Sequence, residues 1–339
     1  VIRSFFFATW RDSASISPVN RSTSPCGALL ALALALVGCS PTLPPAPPHA
    51  RVAPPPATAS AAACWVEMGD GEVAGSLGMN GEPDIGPWLV TFSALLVRHA
   101  GGDLLVDTGM SAHFDELVKT TKLVPRLFLH SLVDPAEHVT SLPDALARMG
   151  EKVTDIHSVV LSHVHSDHAG GLLDLPGVPV LIGVGDADLA RKEKDQGGFD
   201  VVKAVADSLE PRVVPISFAA KPYETFERSF DVYGDGTLVL VPLPGHTPGS
   251  LGTFVNLPGL RIFHVGDATN TFEAVRKRRG KSLPLSFTDR DGAQADETLA
   301  KISQLHQLDP DLVILPAHDR RIWTGLFGSP GRCYPPANR

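Results

Sequence analysis

Seven residues carry side chains that bind divalent metals in a pattern suited to catalysis: His163, His165, Asp167, His168, His246, Asp267 and His318. Four of them share one run, His163-Val164-His165-Ser166-Asp167-His168-Ala169-Gly170-Gly171. In extended backbone, side chains two residues apart point the same way, so His163 and His165 can grip one ion together. Asp167 and His168 come after a turn and can address a second ion, and Gly170 and Gly171 allow the tight backbone there. The other donors lie in Gly245-His246-Thr247-Pro248-Gly249-Ser250, Gly266-Asp267 and Pro316-Ala317-His318-Asp319. Imidazoles and carboxylates suit zinc, and a catalytic zinc site keeps one position open for water. A lone histidine of this kind is more often structural. Seven donors in four motifs supply enough ligands for two metals.

Each motif follows a short apolar segment that reads as a strand. Strands are expected at 89–97, 103–107, 156–162, 178–183, 237–241, 251–256, 261–265 and 311–315, rich in apolar residues and mostly bounded by Gly, Pro or Asp. Helical patterns cover 111–121, 142–149 behind Ser141 as N-cap, 186–193, 200–209 and 292–308. Strands and helices alternate along the chain, which implies a layered α/β architecture.

These motifs, in this order and each at a strand end, resemble those of the metallo-β-lactamase superfamily over about residues 65–325. The resemblance implies a four-layer αβ/βα sandwich with the metals at one edge. It implies His163, His165 and His246 on the first zinc, Asp167, His168 and His318 on the second, and Asp267 bridging the two. Asp107, in Leu104-Leu105-Val106-Asp107-Thr108-Gly109, matches the family's early aspartate, which orients a ligand from behind.

Two zinc ions sharing a water lower its pKa toward neutrality, and the resulting hydroxide attacks a polarised carbonyl carbon. Asp167 then passes a proton to the leaving group. The expected reaction is hydrolysis of an ester, thioester or lactone, with amides in the same class. Asp267 departs from the zinc β-lactamases themselves, which mostly place Cys or Ser there. The runs Gly266-Asp267-Ala268-Thr269-Asn270-Thr271 and His165 to Gly171 are similar to those of acyl-homoserine lactonases. Many of those carry a substrate-binding Tyr three residues after the bridging Asp. Here that position is Asn270, whose amide can also donate a hydrogen bond.

Competing readings are a mononuclear iron persulfide dioxygenase, with iron on His163, His246 and Asp267, and a relative that binds metal without turnover. A nuclease of the same superfamily would need a further domain or an RNA-gripping arm, which this acidic chain does not display. Two stretches lie beside the motifs. The apolar stretch Leu123, Val124, Leu127, Phe128, Leu129, Leu132 and Val133 reads as packing or as a pocket wall. The run Arg276-Lys277-Arg278-Arg279-Gly280-Lys281 reads as a solvated face or as a basic rim attracting anionic substrate or lipid headgroups.

The chain has 339 residues, 43% of them hydrophobic, and a net charge of −8, which suits a soluble globular protein and disfavours a nucleic-acid binder. Ahead of the globular part, arginines precede a ten-residue apolar run at 28–37, too short for a membrane span but suited to a secretory signal. Leu36-Val37-Gly38-Cys39 resembles a bacterial lipobox. Residues 1–38 are therefore expected to be a signal peptide, Cys39 a lipidated N-terminus, and 39–63 a proline-rich tether. The hydrolase domain then covers 64–339, exported and held to a membrane by its lipid, facing the periplasm or the cell exterior. Cys64 and Cys333, near the two ends of that domain, are either a disulfide, which an exported compartment permits, or two solitary thiols.

Overall fold

Apolar residues at alternate and at consecutive strand positions build two sheets that are covered on both faces. The protein is described here by a computed structural model covering residues 42–336 apart from 49, 55–56, 58–59, 82–85 and 134–135. The expected signal segment and Cys39 lie outside the described residues. The strands are β1 Ala61–Val73, β2 Trp88–His99, β3 Asp103–Val106, β4 Ala136–Glu137, β5 Ile156–Val160, β6 Val180–Gly183, β7 Val213–Ile216, β8 Phe230–Asp231, β9 Leu238–Pro242, β10 Leu251–Leu257, β11 Leu260–His264, β12 Val313–Leu315 and β13 Cys333–Tyr334. One sheet runs β13-β1-β2-β3-β5-β6-β7, with β4 also pairing β1, and the other runs β12-β11-β10-β9-β8. The helices are α1 Gly75–Gly78, α2 Phe114–Leu117, α3 Leu123–Val133, α4 Leu142–Ala147, α5 Ser166–Ala169, α6 Val184–Glu193, α7 Lys203–Leu209, α8 Phe272–Lys277, α9 Leu283–Ser286, α10 Gly292–Leu308 and α11 Arg320–Phe327.

The period of two decides which core each side chain joins. Leu104 and Val106 of β3 meet Leu240, Val255 and Ile262 of the other sheet in a central core. Leu105 between them faces outward into a core shared with Leu142 and Leu146 of α4 and Val205 of α7. On the far side, Phe254 and Phe263 pack with Val275 of α8 and Leu299 and Ile302 of α10. Helices, sheet, sheet and helices thus form the four expected layers.

Thirteen-residue β1 has no counterpart among the expected strands. Its Gly69, Asp70 and Gly71 interrupt the apolar pattern, and its register against β2 shifts between Glu67 and Gly69. Pairing with β2 over most of its length holds it in place. The expected helix at 111–121 shrinks to α2, whereas the segment at 123–133 forms α3. Cys64 and Cys333 are partners on antiparallel β1 and β13 and form a disulfide. The described part of the proline-rich segment lies along the domain: the Leu43 amide donates to the Arg278 carbonyl at 2.9 Å, and Arg51 pairs with Glu224 and Asp309. β1 itself starts at Ala61, inside the range read as tether.

Candidate metal centre

Five strands deliver the site at their C-terminal ends: β3 leads to Asp107, β5 to His163, β9 to His246, β11 to Asp267 and β12 to His318. The backbone there is tightly constrained. Gly266 has φ +52°, and a Cβ on it would lie 2.8 Å from the Cβ of Ser162, so glycine is required just before Asp267. A Cβ on Gly170 would lie 2.4 Å from the Ser111 amide, which leaves α5 room to turn Asp167 and His168 toward the site.

The seven donors converge in two sets. In the first, Nε2 of His246 lies 3.1 Å from Nε2 of His163 and 3.0 Å from Nδ1 of His165. In the second, Nε2 of His168 and His318 are 3.1 Å apart, and Oδ2 of Asp167 is 3.2 Å from His318 Nε2. Asp267 divides its carboxylate between them: Oδ1 is 3.3 Å from Nε2 of both His168 and His318, and Oδ2 is 3.7 Å from Nε2 of His246. Tetrahedral zinc with nitrogen ligands at about 2.0–2.1 Å sets its donors roughly 3.3 Å apart, so both sets have the size a zinc ion needs. Oδ1 of Asp267 is buried with no hydrogen-bond donor, the condition of an oxygen built to face a cation.

The far side of four of the five imidazoles has a partner that directs the other ring nitrogen to the site. Nδ1 of His168 donates to Oδ2 of Asp107 at 2.8 Å, Nδ1 of His318 to the Thr91 carbonyl at 2.9 Å, and Nδ1 of His246 to Oδ1 of Asp289 at 2.8 Å. Nε2 of His165 donates to Asp200 at 3.2 Å, which turns its Nδ1 to the site. Asp107 also accepts from the Ser162 amide and hydroxyl at 2.7 and 2.8 Å. Buried Asp186 joins the two ligand loops by accepting from the amides of Val164, at 2.9 Å, and Gly249, at 2.7 Å.

Electrostatics divide the two sets. Burial, followed by the neighbouring imidazoles, holds His163 well below the usual imidazole range. Burial and the charge of Lys281 push His246 down to about 4. Burial would also lower His318, but the Asp267 and Asp167 carboxylates overcome it and raise it to about 10. His168 is likewise raised, against burial, by Asp267, Asp167 and Asp107. Burial would raise both carboxylates, yet the charges of His168 and His318 hold Asp167 and Asp267 below the ordinary range. Burial thus favours the neutral form of His163 and His246, while the carboxylates around His168 and His318 draw positive charge toward the second set.

All seven expected ligands and Asp107 meet in this one region. Asn270 is 4% exposed and its amide nitrogen has no hydrogen-bond partner. Lys281, read as part of a basic stretch, is instead buried: its ammonium lies 2.6 Å from Asp289 and 2.8 Å from Nδ1 of His246. Asp186, Asp200, Asp289 and the Thr91 carbonyl are further members of the site that the sequence motifs do not mark. Each joins the site from a segment distant in the chain, and no local spacing announces it.

A family model described as the Metallo-beta-lactamase superfamily matches residues 88–318. A "Probable metallo-hydrolase" of Mycobacterium tuberculosis is 27% identical over 244 residues, covering 66% of this chain and 73% of the relative. An N-acyl homoserine lactonase, AttM, of Agrobacterium fabrum is 25% identical over 189 residues, 55% of this chain and 67% of the relative. Among solved structures, a mutant of AiiA from B. thuringiensis with N-decanoyl-L-homoserine bound at the active site superposes with a TM-score of 0.59 at 17% identity, over 79% of this chain and 96% of that one. AidC, described as a dizinc quorum-quenching lactonase, superposes with a TM-score of 0.53 at 16% identity, over 80% and 91% of the two chains. With the sandwich, the strand-end ligands and a family model covering most of the domain, the chain belongs to the metallo-β-lactamase superfamily and is a hydrolase.

Proposed function

We propose that this hydrolase binds two zinc ions and opens a carboxylic ester bond in a small molecule, with a lactone as the favoured substrate. The observation that carries the reading is Asp267, which turns one oxygen toward each of the two donor sets. Bound there, a pair of zinc ions supplies Lewis acidity toward a carbonyl oxygen and acidifies water at neutral pH. The chain's own residues do the rest. Asp107, Asp200, Asp289 and the Thr91 carbonyl hold four imidazoles in one tautomer each, so the ligand lone pairs are already directed inward. Asp167, the more exposed of the two ligand carboxylates, is placed to carry a proton to the leaving oxygen. The unpartnered Asn270 amide offers a hydrogen-bond donor to a substrate carbonyl.

Lactones are favoured over the wider ester and thioester class because lactonases recur among both the sequence relatives and the structural neighbours. Export and acylation at Cys39 belong to the same proposal. The lipobox-like run and a disulfide suited to an oxidising compartment speak for them. The test is a panel of acyl-homoserine lactones, aryl esters, thioesters, β-lactams and phosphodiesters with zinc-loaded protein. Lactone opening that exceeds every other rate and is lost in Asp167→Asn is expected. A preference for phosphodiesters, or full lactone opening in Asp167→Asn, would reject the reading.

A further inference from the structure

The chain is acidic overall, yet the two segments bordering the first metal set carry no acidic side chain and hold the most exposed large apolar residues among the described residues. On α3 and the residue before it, Lys122 and Arg126 accompany Leu123, Val124 and Leu127, which are 61%, 76% and 59% exposed. Positions i, i+1 and i+4 fall on one side of a helix, so these three form a single apolar strip. Between 276 and 287 every charge is basic: Arg276 and Lys277 pair with Glu273 on the preceding turn, Lys281 is buried on Asp289, Arg278 and Arg279 lie between them, and Leu283 and Phe287 are 66% and 71% exposed.

Direct contacts tie both segments to the metal-holding loops. Phe128 of α3 packs on Phe199 at 5.3 Å between ring centres, and Phe199 lies 6.3 Å from the ring of His165. Asp200, next to Phe199, pairs at 2.6 Å with Arg290, whose neighbour Asp289 holds His246. Lys281 and Asp289 enclose α9 and meet each other behind His246. The two apolar-and-basic segments are therefore both tied to the same pair of ligand loops, one through Phe199 and the other through Lys281 and Asp289. Exposed apolar side chains flanked by cations match a surface with anionic headgroups over hydrocarbon, and an acidic protein gains such a patch only locally.

We propose that α3 and the 276–287 segment dock this end of the domain on an anionic lipid bilayer. The inference does not depend on which bond the site cleaves. The test uses the full chain with Cys26→Ser and Cys39→Ser, so that no acyl group contributes, and a polarity-sensitive fluorophore on Val124→Cys. The reference carries the fluorophore on Thr154→Cys, an exposed position just before β5, at the end of that strand away from the metals. Vesicles of phosphatidylglycerol and phosphatidylethanolamine are expected to brighten the label at 124 several-fold and leave that at 154 unchanged. Phosphatidylcholine vesicles should do neither. Adding Arg276→Glu and Arg278→Glu should weaken the response at 124 at least tenfold in lipid concentration. The proposal is overturned if the label at 124 stays dark, if both positions brighten equally, or if charge reversal has no effect. It is also overturned if position 124 brightens with protein concentration alone, which would make this face a contact between copies.

Discussion

Asp267 holds the centre together because it is the one carboxylate shared by both donor sets. Replacing it with alanine removes the shared ligand and leaves the three histidines of the first set intact, so Asp267→Ala should lower bound zinc from two ions toward one per chain, measured by elemental analysis. Behind the ligands, Lys281 and Asp289 form a buried ion pair against Nδ1 of His246. Lys281→Met leaves Asp289 without its countercharge while preserving most of the side-chain volume. The expected outcome, read by competition with a chelator, is a zinc affinity about 10-fold weaker or more. Lys281→Arg should recover part of the loss. At this scale the sequence was legible where spacing alone makes chemistry: His163, His165, Asp167 and His168 lie within six consecutive residues. Asp200 and Asp289 were illegible, because each acquires meaning only when a partner 35 or 43 positions away is folded against it.

Strand ends do the positioning, and the strands before the ligands were readable as short apolar runs between Gly, Pro and Asp. β1 was not, since its central Gly69, Asp70 and Gly71 break the alternation and its pairing is long-range. The helical reading of 292–308 agrees with α10 to the residue. Asp291 caps it by accepting from the Gln294 amide, and a regular apolar face follows. The disulfide acts on these elements by fastening β13 to β1 across a separation of 269 residues. Closing a loop that long restricts the unfolded chain, so Cys333→Ser should cost about 2–5 kcal/mol. A lowered midpoint in urea, with zinc content per folded chain unchanged, is the expected result.

In the whole molecule the central core lies between the sheets, and His264 is buried beside it with neither ring nitrogen hydrogen-bonded. Burial, only partly countered by the Asp107 carboxylate, pushes His264 from 6.5 down to about 4. The folded state keeps this imidazole neutral, whereas the unfolded chain binds a proton below about pH 6.5. Its contribution is therefore fully present above pH 6.5 and is lost as the pH falls toward 4, by up to roughly 3 kcal/mol. The melting temperature of the parent should fall relative to that of His264→Leu over that window, because only the parent has this imidazole to protonate on unfolding. Among the described residues no helix is long and apolar enough to cross a membrane. The four-layer architecture places all seven ligands at one edge, where the two sheets deliver them together. The most direct test of the two-metal account is a stepwise addition of zinc to metal-free protein, with lactone opening followed at each step. Activity that rises mainly with the second equivalent and levels off at two is the predicted result. Full activity at one equivalent, or activity restored by iron and not by zinc, would contradict it.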